Sequence, residues 1–161
     1  AVGSMEFGGC FLNKRLNRNN DGGTTRRTTD IFQLATTVLF QNPVQNFALA
    51  PNNLKDVSPV CMDYMKKIPT TWDEACFIDG YPGKYVVLAR RHGGTWYVAA
   101  INAGKETLKL KLDLEMFAGK TVSLYKDDKK GEPQLVPLKV KENGKVQLEI
   151  LPQGGAVLVN K

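Results

Sequence analysis

The chain contains few of the residues that build metal sites and disulfide frameworks. Its 161 residues include one histidine and three cysteines, Cys10, Cys61 and Cys76, and no two of these cysteines form a CxxC motif. Structural zinc sites and disulfide scaffolds use clustered cysteine and histidine. The sequence therefore gives little support to either kind of site, although a single cysteine pair with one remaining thiol stays open.

Long apolar runs and one-sided charge are also missing. No segment reaches the ~20 apolar residues of a membrane-spanning helix, and no signal peptide is recognisable at the start. The net charge of +6 is evenly spread, with 8 basic and 5 acidic residues in 1–69 and 14 and 11 in 70–161. Phosphate-binding surfaces need clustered positive charge. We therefore predict no nucleic-acid partner and no membrane partner.

Two helices are predicted in residues 1–69. Apolar residues recur at helical spacing from Ile31 to Leu39, Thr29 or Asp30 is a good N-cap, and Pro43 forbids continuation. Ser58-Pro59 begins a second helix, whose apolar face consists of Val60, Cys61, Tyr64, Met65 and Ile68. Residues 5–27 lack periodicity and are predicted to be a loop, and residues 44–50 a short buried strand. Because little sheet surrounds these apolar stripes, we expect a fragment of a larger body.

Residues 70–161 change to the period of two that is typical of strands. Glycine-rich turns at 92–94, 143–144 and 153–155 favour tight antiparallel hairpins, and Leu108, Leu110 and Leu112 are expected to face a core while the lysines between them face water. We predict strands at 84–91, 95–102, 106–113, 121–126, 135–140, 145–151 and 155–160. The fold class expected is mainly β, an antiparallel β-sandwich preceded by helices.

Each candidate catalytic or ligand-binding residue also has a purely structural interpretation. Glu6 is a candidate acid or a solvated residue near the terminus, and Arg26-Arg27 is an anion site or an ordinary helix start. His92 is expected to be an exposed turn residue.

A possible sugar platform lies around the start of the sandwich. Trp72, Asp73, Glu74 and Tyr81 are candidates for contacts with a sugar or with an interface. An indole can stack on a sugar ring, whereas a linker tryptophan between packed bodies usually buries its ring. For Trp72 the second role, a plug between the two parts of the chain, is favoured.

Several stretches together resemble the C-terminal part of glycoside hydrolase family 97, the α-glucosidase and α-galactosidase family of gut Bacteroidetes. The stretches are Arg26-Arg27-Thr28-Thr29-Asp30, Phe40-Gln41-Asn42-Pro43-Val44-Gln45-Asn46-Phe47, Pro69-Thr70-Thr71-Trp72-Asp73-Glu74, and Tyr85 to Arg91 followed by Trp96-Tyr97-Val98. The resemblance implies an enzyme with an N-terminal β-sandwich, a central (β/α)8 barrel with a calcium-dependent site, and a C-terminal β-sandwich. Residues 1–69 would then be the last part of the barrel, an α-helical remnant, and residues 70–161 the C-terminal sandwich.

The resemblance also assigns a role to Glu6. Residues 1–6 look like the family motif Glu-Ala-Val-x-Gly-x-Glu without its first glutamate, which would make Glu6 the general acid. Gly3-Ser4-Met5 equally resembles a cloning scar before an initiator methionine, which would make residues 1–4 a tag. In either case the partner carboxylate and the calcium ligands would lie upstream, because a complete barrel takes ~250 residues.

The sequence thus predicts the C-terminal fragment of a hydrolase acting on α-glucosides or α-galactosides, inactive as an isolated chain. The alternative is a non-catalytic module that binds carbohydrate or docks to another domain. Calcium is expected in the intact enzyme and not in this chain, the substrate would be an oligosaccharide, and the family resemblance implies a periplasmic or secreted location. Exposed stripes on the helical remnant would favour a homo-oligomer.

Overall fold

The first part of the chain is a strand–helix–strand unit followed by a second helix. The computed structural model describes residues 6–15, 21–40, 43–49 and 51–160, with the backbone alone for 6–11 and 51–53. Strand β1 (Glu6–Phe11) pairs in parallel with β2 (Val44–Ala48), and helix α1 (Asp30–Leu39) connects them. A short 3-10 segment (Pro51–Asp56) leads into α2 (Pro59–Met65). Helix α1 provides the crossover connection that parallel neighbouring strands require.

The predictions for this part succeed for the helices and fail for the opening strand. Thr29 is the N-cap of α1, since its hydroxyl accepts a hydrogen bond from the amide of Phe32 at 3.1 Å, and Ser58 caps α2. The loop predicted over 5–27 is wrong at its start, where β1 lies. Parallel strands do not show the alternation of polar and apolar residues by which a strand is recognised, and two glycines interrupt this one.

The second part is the predicted antiparallel sandwich. Its strands are β3 (Glu74–Tyr81), β4 (Tyr85–His92), β5 (Thr95–Asn102), β6 (Leu108–Asp113), β7 (Thr121–Asp127), β8 (Pro133–Lys139), β9 (Lys145–Ile150) and β10 (Gly155–Val159). Six strands form one sheet in the order β3-β4-β5-β10-β7-β8, and β6 pairs with β9 in a second sheet. Apolar residues of both sheets share one core, which includes the predicted Leu110 and Leu112.

Two details of the sandwich differ from the predictions. Strand β3 was not predicted, because residues 74–81 mix charged, aromatic and glycine residues and contain a bulge between Phe77 and Asp79. Of the three predicted hairpin turns, only 92–94 joins strands that pair with each other. The turns at 143–144 and 153–155 cross from one sheet to the other, and in the latter Gln153, not a glycine, has the positive φ of 53°.

The helices cover the outer face of the six-stranded sheet. The apolar side of α1, comprising Ile31, Leu34, Ala35 and Val38, is fully buried and packs mainly on β5 and β10. The central strands of this sheet are therefore covered on both faces, by the second sheet and by the helices, whereas Phe77 on the edge strand β3 is exposed. The premise of the homo-oligomer prediction, an exposed stripe on the helical part, does not hold for α1, and the oligomeric state itself stays a prediction. Within the described residues, no helix is long and apolar enough to cross a membrane.

Gly155 sets how closely α1 approaches the sheet. A Cβ atom at this position would lie 2.8 Å from both the carbonyl oxygen of Ile31 and the Cα of Phe32. Both neighbours are helix backbone, which cannot rotate away as a side chain would. The glycine is therefore required by the packing distance between helix and strand.

Replacement of this glycine tests the close approach. We expect Gly155→Ala to lower the free energy of unfolding by about 1–3 kcal/mol, because the added methyl group overpacks the contact. Urea denaturation followed by circular dichroism measures the loss. Gly94→Ala is the matched control, since a Cβ there meets no atom within 4 Å. Equal losses in the two variants would contradict the role given to Gly155.

Candidate functional site

Polar contacts fasten the start of α1 to the sandwich. The Thr29 hydroxyl donates to Asp127 Oδ2 at 2.9 Å, and the Gly155 amide donates to the same oxygen at 3.1 Å. The Thr29 amide donates to the Gln153 carbonyl at 3.0 Å. Asp127 thus connects the N-cap of the helix with the first residue of β10. These contacts join the two parts of the chain.

Burial makes Asp127 an unusual carboxylate. Only 7% of the residue is exposed, and its Oδ1 has no hydrogen-bond partner. Burial, opposed by hydrogen bonds from Gly155 and Thr29 and assisted by the nearby Asp30 charge, raises the pKa of Asp127 from 3.8 to about 6. The charged form is therefore costly at neutral pH.

The Arg26 guanidinium makes its contacts within the protein. Its guanidinium forms an ion pair with Asp30 and donates to the carbonyl oxygens of Thr28 at 2.7 Å and Asn13 at 3.3 Å. The pair shows only 7% and 12% side-chain exposure. The structural alternative for Arg26 therefore agrees with the observed contacts, whereas Arg27 is exposed.

Trp72 lies at the other end of α1, beside a buried arginine. Its half-buried ring packs edge-on against Tyr97, with ring centroids 5.3 Å apart, and below the Arg90 guanidinium at 6.0 Å. Arg90 donates from Nη2 to the Leu39 carbonyl at 3.3 Å. Burial lowers the pKa of Arg90. Trp72 thus occupies the junction between helix and sheet, as the plug interpretation expects.

The Trp72–Arg90 cluster has unsatisfied hydrogen-bond donors. Among the described residues, Arg90 Nε and Nη1 and Trp72 Nε1 are buried and have no acceptor. Buried polar groups are normally paired, and unpaired ones are costly. The cluster therefore carries a cost in free energy within the described structure.

The remaining platform candidates are exposed and dispersed. Asp73 and Glu74 both pair with Arg91, at 3.6 and 3.2 Å, and the Gly93 amide donates to Asp73 at 2.7 Å. His92, in the turn as predicted, lies with Nδ1 2.9 Å from the Thr71 carbonyl oxygen. These groups hold the β4–β5 turn to the segment before β3.

Tyr81 is remote from Trp72. Trp72 precedes β3 and Tyr81 ends it, so the two residues are separated by roughly 25–30 Å of extended chain. Tyr81 is 57% exposed, and the Lys84 ammonium lies 4.6 Å from its ring centroid. The four predicted residues do not form one surface that could hold a sugar.

Glu6 is the first residue of β1, and its side chain lies outside the described part of the structure. Its assignment as general acid depends on the resemblance alone and stays a prediction. Calcium prefers clustered oxygen ligands, and within the described residues no three His, Cys, Asp or Glu side chains converge on a possible metal site. The described residues do not fit a calcium site.

Sequence reasoning missed Asp127, Arg90 and Gly155. The available signal was a charged residue in an otherwise apolar strand, as in Val87-Leu88-Ala89-Arg90. Such a residue needs a buried partner, and the partner cannot be identified from sequence.

The raised pKa of Asp127 predicts a pH dependence. Because the folded protein holds this proton more tightly than the unfolded chain, the associated stability is complete below pH 3.8 and is lost as pH rises through about 6. We expect the free energy of unfolding of Asp127→Asn, relative to that of wild type, to rise by about 2 kcal/mol between pH 4.5 and pH 7.5. Urea denaturation at the two pH values measures the change. A constant difference between variant and wild type would contradict it.

Truncation separates the roles of Trp72 and Tyr81. We expect Trp72→Ala to cost about 2–3 kcal/mol of unfolding free energy, because a half-buried ring leaves a cavity. Tyr81→Ala, at an exposed position, should stay within about 0.5 kcal/mol of wild type. Thermal denaturation of both variants provides the comparison. A Trp72→Ala variant as stable as wild type would exclude the plug role.

Comparison with known proteins identifies the family to which this chain is related. The profile described as "Glycosyl-hydrolase 97 C-terminal, oligomerisation" matches residues 71–160. The retaining α-galactosidase of Bacteroides thetaiotaomicron is 30% identical over 133 residues, which are 78% of this chain and 20% of that protein. This chain therefore spans about a fifth of the curated relative.

Two solved structures share the fold over 98% of this chain. One is a β-arabinopyranosidase with 84% identity and a TM-score of 0.95, of which the match covers 25%. The other is a glycoside hydrolase family 97 enzyme from Pseudoalteromonas sp. strain K8 in complex with acarbose, with 22% identity and a TM-score of 0.77, of which it covers 26%. With the family profile matched over more than half of its length, the chain belongs to glycoside hydrolase family 97 as a C-terminal portion.

Proposed function

We propose that this chain is the C-terminal part of a retaining glycosidase, in which the β-sandwich supports the last strand–helix unit of a catalytic barrel. The observation that carries the proposal is the complete burial of the α1 stripe against β5 and β10. A helix that packs with one side on the sandwich and follows a parallel strand is suited to connect a barrel wall to a neighbouring domain.

Most of the catalytic groups belong to the part of the enzyme outside this chain. Retaining glycosidases need two carboxylates about 5–5.5 Å apart across the scissile bond. Among the described side chains, Asp127, the one carboxylate with a strongly raised pKa, is closed in by the helix start and cannot reach a substrate. Glu6 remains the candidate general acid, and calcium remains a cofactor of the intact enzyme, with ligands supplied upstream.

The substrate we propose carries a terminal α-galactosyl or β-arabinopyranosyl residue. One relative is named a retaining α-galactosidase, and the structure with 84% identity is named a β-arabinopyranosidase. An L-arabinopyranosyl ring has the hydroxyl arrangement of a D-galactopyranosyl ring without the exocyclic hydroxymethyl group, and its β bond corresponds to the α bond of galactose. One barrel geometry therefore suits both sugars better than it suits an α-glucoside. We further propose a periplasmic or secreted location.

A sugar-binding module is the weaker candidate. Its support was the group Trp72, Asp73, Glu74 and Tyr81, which the structure distributes between a buried junction, a surface ion-pair network and a distant turn. Homo-oligomer formation stays a prediction, now supported by the family description and not by the helices.

Hydrolysis assays locate the chemistry. We expect the 161-residue chain to release no nitrophenol from p-nitrophenyl α-galactoside, β-L-arabinopyranoside or α-glucoside with calcium present, because it lacks the partner carboxylate. The complete enzyme should hydrolyse the first or second of these, and Glu6→Gln in it should lower kcat about 10²–10⁴-fold on the corresponding alkyl glycoside, whose leaving group needs a proton donor.

Two outcomes would overturn parts of this proposal. Turnover by the isolated chain would show that the catalytic site lies within it. Full activity of the Glu6→Gln enzyme would show that another residue is the general acid while leaving the docking role intact.

A further inference from the structure

One edge of the six-stranded sheet exposes aromatic side chains to water. Among the described residues of the sandwich, the exposed large hydrophobic side chains are Phe77, Tyr81 and Leu135. The first two lie on the edge strand β3, and 68% of Phe77 is exposed. Helix α1 packs mainly on β5 and β10, away from this edge. Exposed apolar residues that share one surface mark an interaction site, whereas scattered ones do not.

The two aromatic residues border an apolar groove. Register places Gly80 beside Val86, and Val86 beside Ile101 on the next strand. The groove has a volume of about 380 Å³ and ends at the turn 81–84. Val86 and Ile101 are half-buried, so the groove retains apolar surface that water can reach. We call this surface, lined by Phe77, Gly80, Tyr81, Val86 and Ile101, the β3 groove.

The Phe77 ring is supported by the strand beneath it. A Cβ atom at Gly80 would lie 3.3 Å from Phe77 Cε2 and 3.1 Å from the Tyr85 carbonyl oxygen, so the ring rests on the glycine backbone. One side of the ring is thereby held, while most of its surface stays exposed. A side chain that is already ordered loses little conformational entropy when a partner covers it. Phe77 is therefore suited to be an anchor in an interface.

The two free edges of the sheet differ in how they exclude a further strand. The opposite edge strand, β8, contains Pro133 and Pro137, which cannot donate backbone hydrogen bonds. Strand β3 has no proline, but it has a bulge between Phe77 and Asp79, which interrupts regular pairing. A partner at β3 is therefore expected to bind through side chains and not by continuing the sheet.

We infer that a second copy of the enzyme occupies the β3 groove, with Phe77 of each copy inserted into the groove of the other around a two-fold axis. A two-fold interface uses the same patch on both copies, so the patch needs a projecting group beside a recess that accepts it. Phe77 and the β3 groove provide both. Lys84, whose ammonium lies 4.6 Å from the Tyr81 ring centroid at the end of the groove, would belong to the polar rim.

The family profile favours this occupant. The profile whose description names oligomerisation matches residues 71–160, which include the whole β3 groove and neither helix. The inference rests on the homo-oligomer prediction made with the proposed function, to which it adds a surface. It does not depend on which residues catalyse.

Mass measurement on the complete enzyme tests the surface. Phe77→Glu places a charge at the centre of the interface, and Leu135→Glu, the matched control, places the same charge on the opposite edge of the sheet. We expect wild type and the control to form the same dimer or larger closed assembly. Phe77→Glu should raise its dissociation constant at least about thirtyfold. Sedimentation velocity over a dilution series measures the constants, and circular dichroism checks that the variants are folded.

Photo-crosslinking tests the same contact without adding a charge. The probe is p-benzoylphenylalanine, which replaces Phe77 with a similar aromatic shape. We expect irradiation of the complete enzyme to give a product of twice the chain mass on a denaturing gel, with position 77 joined to the β3 groove of the other copy. The same probe at Leu135 should give little of this product, because that residue lies outside the interface.

Three results would overturn the inference. A monomeric wild-type enzyme would remove the second copy. Equal dissociation constants for Phe77→Glu and Leu135→Glu would place the interface elsewhere. A crosslink from position 77 within one polypeptide would show that the enzyme's own chain fills the groove. None of these measurements uses a substrate, so loss of hydrolysis would concern the proposed chemistry alone.

Discussion

The close approach of α1 to β10 is the constraint on which the rest of the structure depends. Gly155 permits contact at backbone distance, and the Asp127 carboxylate joins the helix cap to the strand at that point. The helix can then bury its whole apolar side, which converts the outer face of the sheet into an interior. Without this contact, the six-stranded sheet would present a large apolar surface to water, as soluble sheets avoid doing.

The cost of this contact is a carboxylate held in an apolar environment. Asp127 accepts two hydrogen bonds with one oxygen and leaves the other without a partner. Proteins retain such groups where a single arrangement has to be specified, because a hydrogen-bond acceptor in a fixed position pairs with the start of the helix in one register only. At the opposite end of α1, Arg90 shows the same incompleteness with the opposite charge, since its buried Nε and Nη1 have no partner among the described residues.

Local patterns predicted most of the fold and little of the site. Period-two alternation located the sandwich, and the caps at Thr29 and Ser58 located both helices, because these signals depend on neighbouring residues only. Strands β1 and β3 were not predicted, because β1 pairs in parallel and β3 contains a bulge. No local pattern predicts the roles of Asp127, Arg90 and Gly155, because these roles depend on contacts with residues dozens of positions away in the sequence. Trp72 was recognised as a junction residue because aromatic residues between packed bodies are usually buried.

The position of β10 has a consequence for how the protein is made. This strand comes last among the ten and yet lies inside the sheet, between β5 and β7. During synthesis, β3-β4-β5 and β7-β8 therefore cannot be joined into one sheet until residues 155–159 leave the ribosome, and β5 and β7 keep open edges until then. The surface that receives α1 is created in the same event, so a helix made more than a hundred residues earlier must wait for it. Chaperones would find their substrate in that interval.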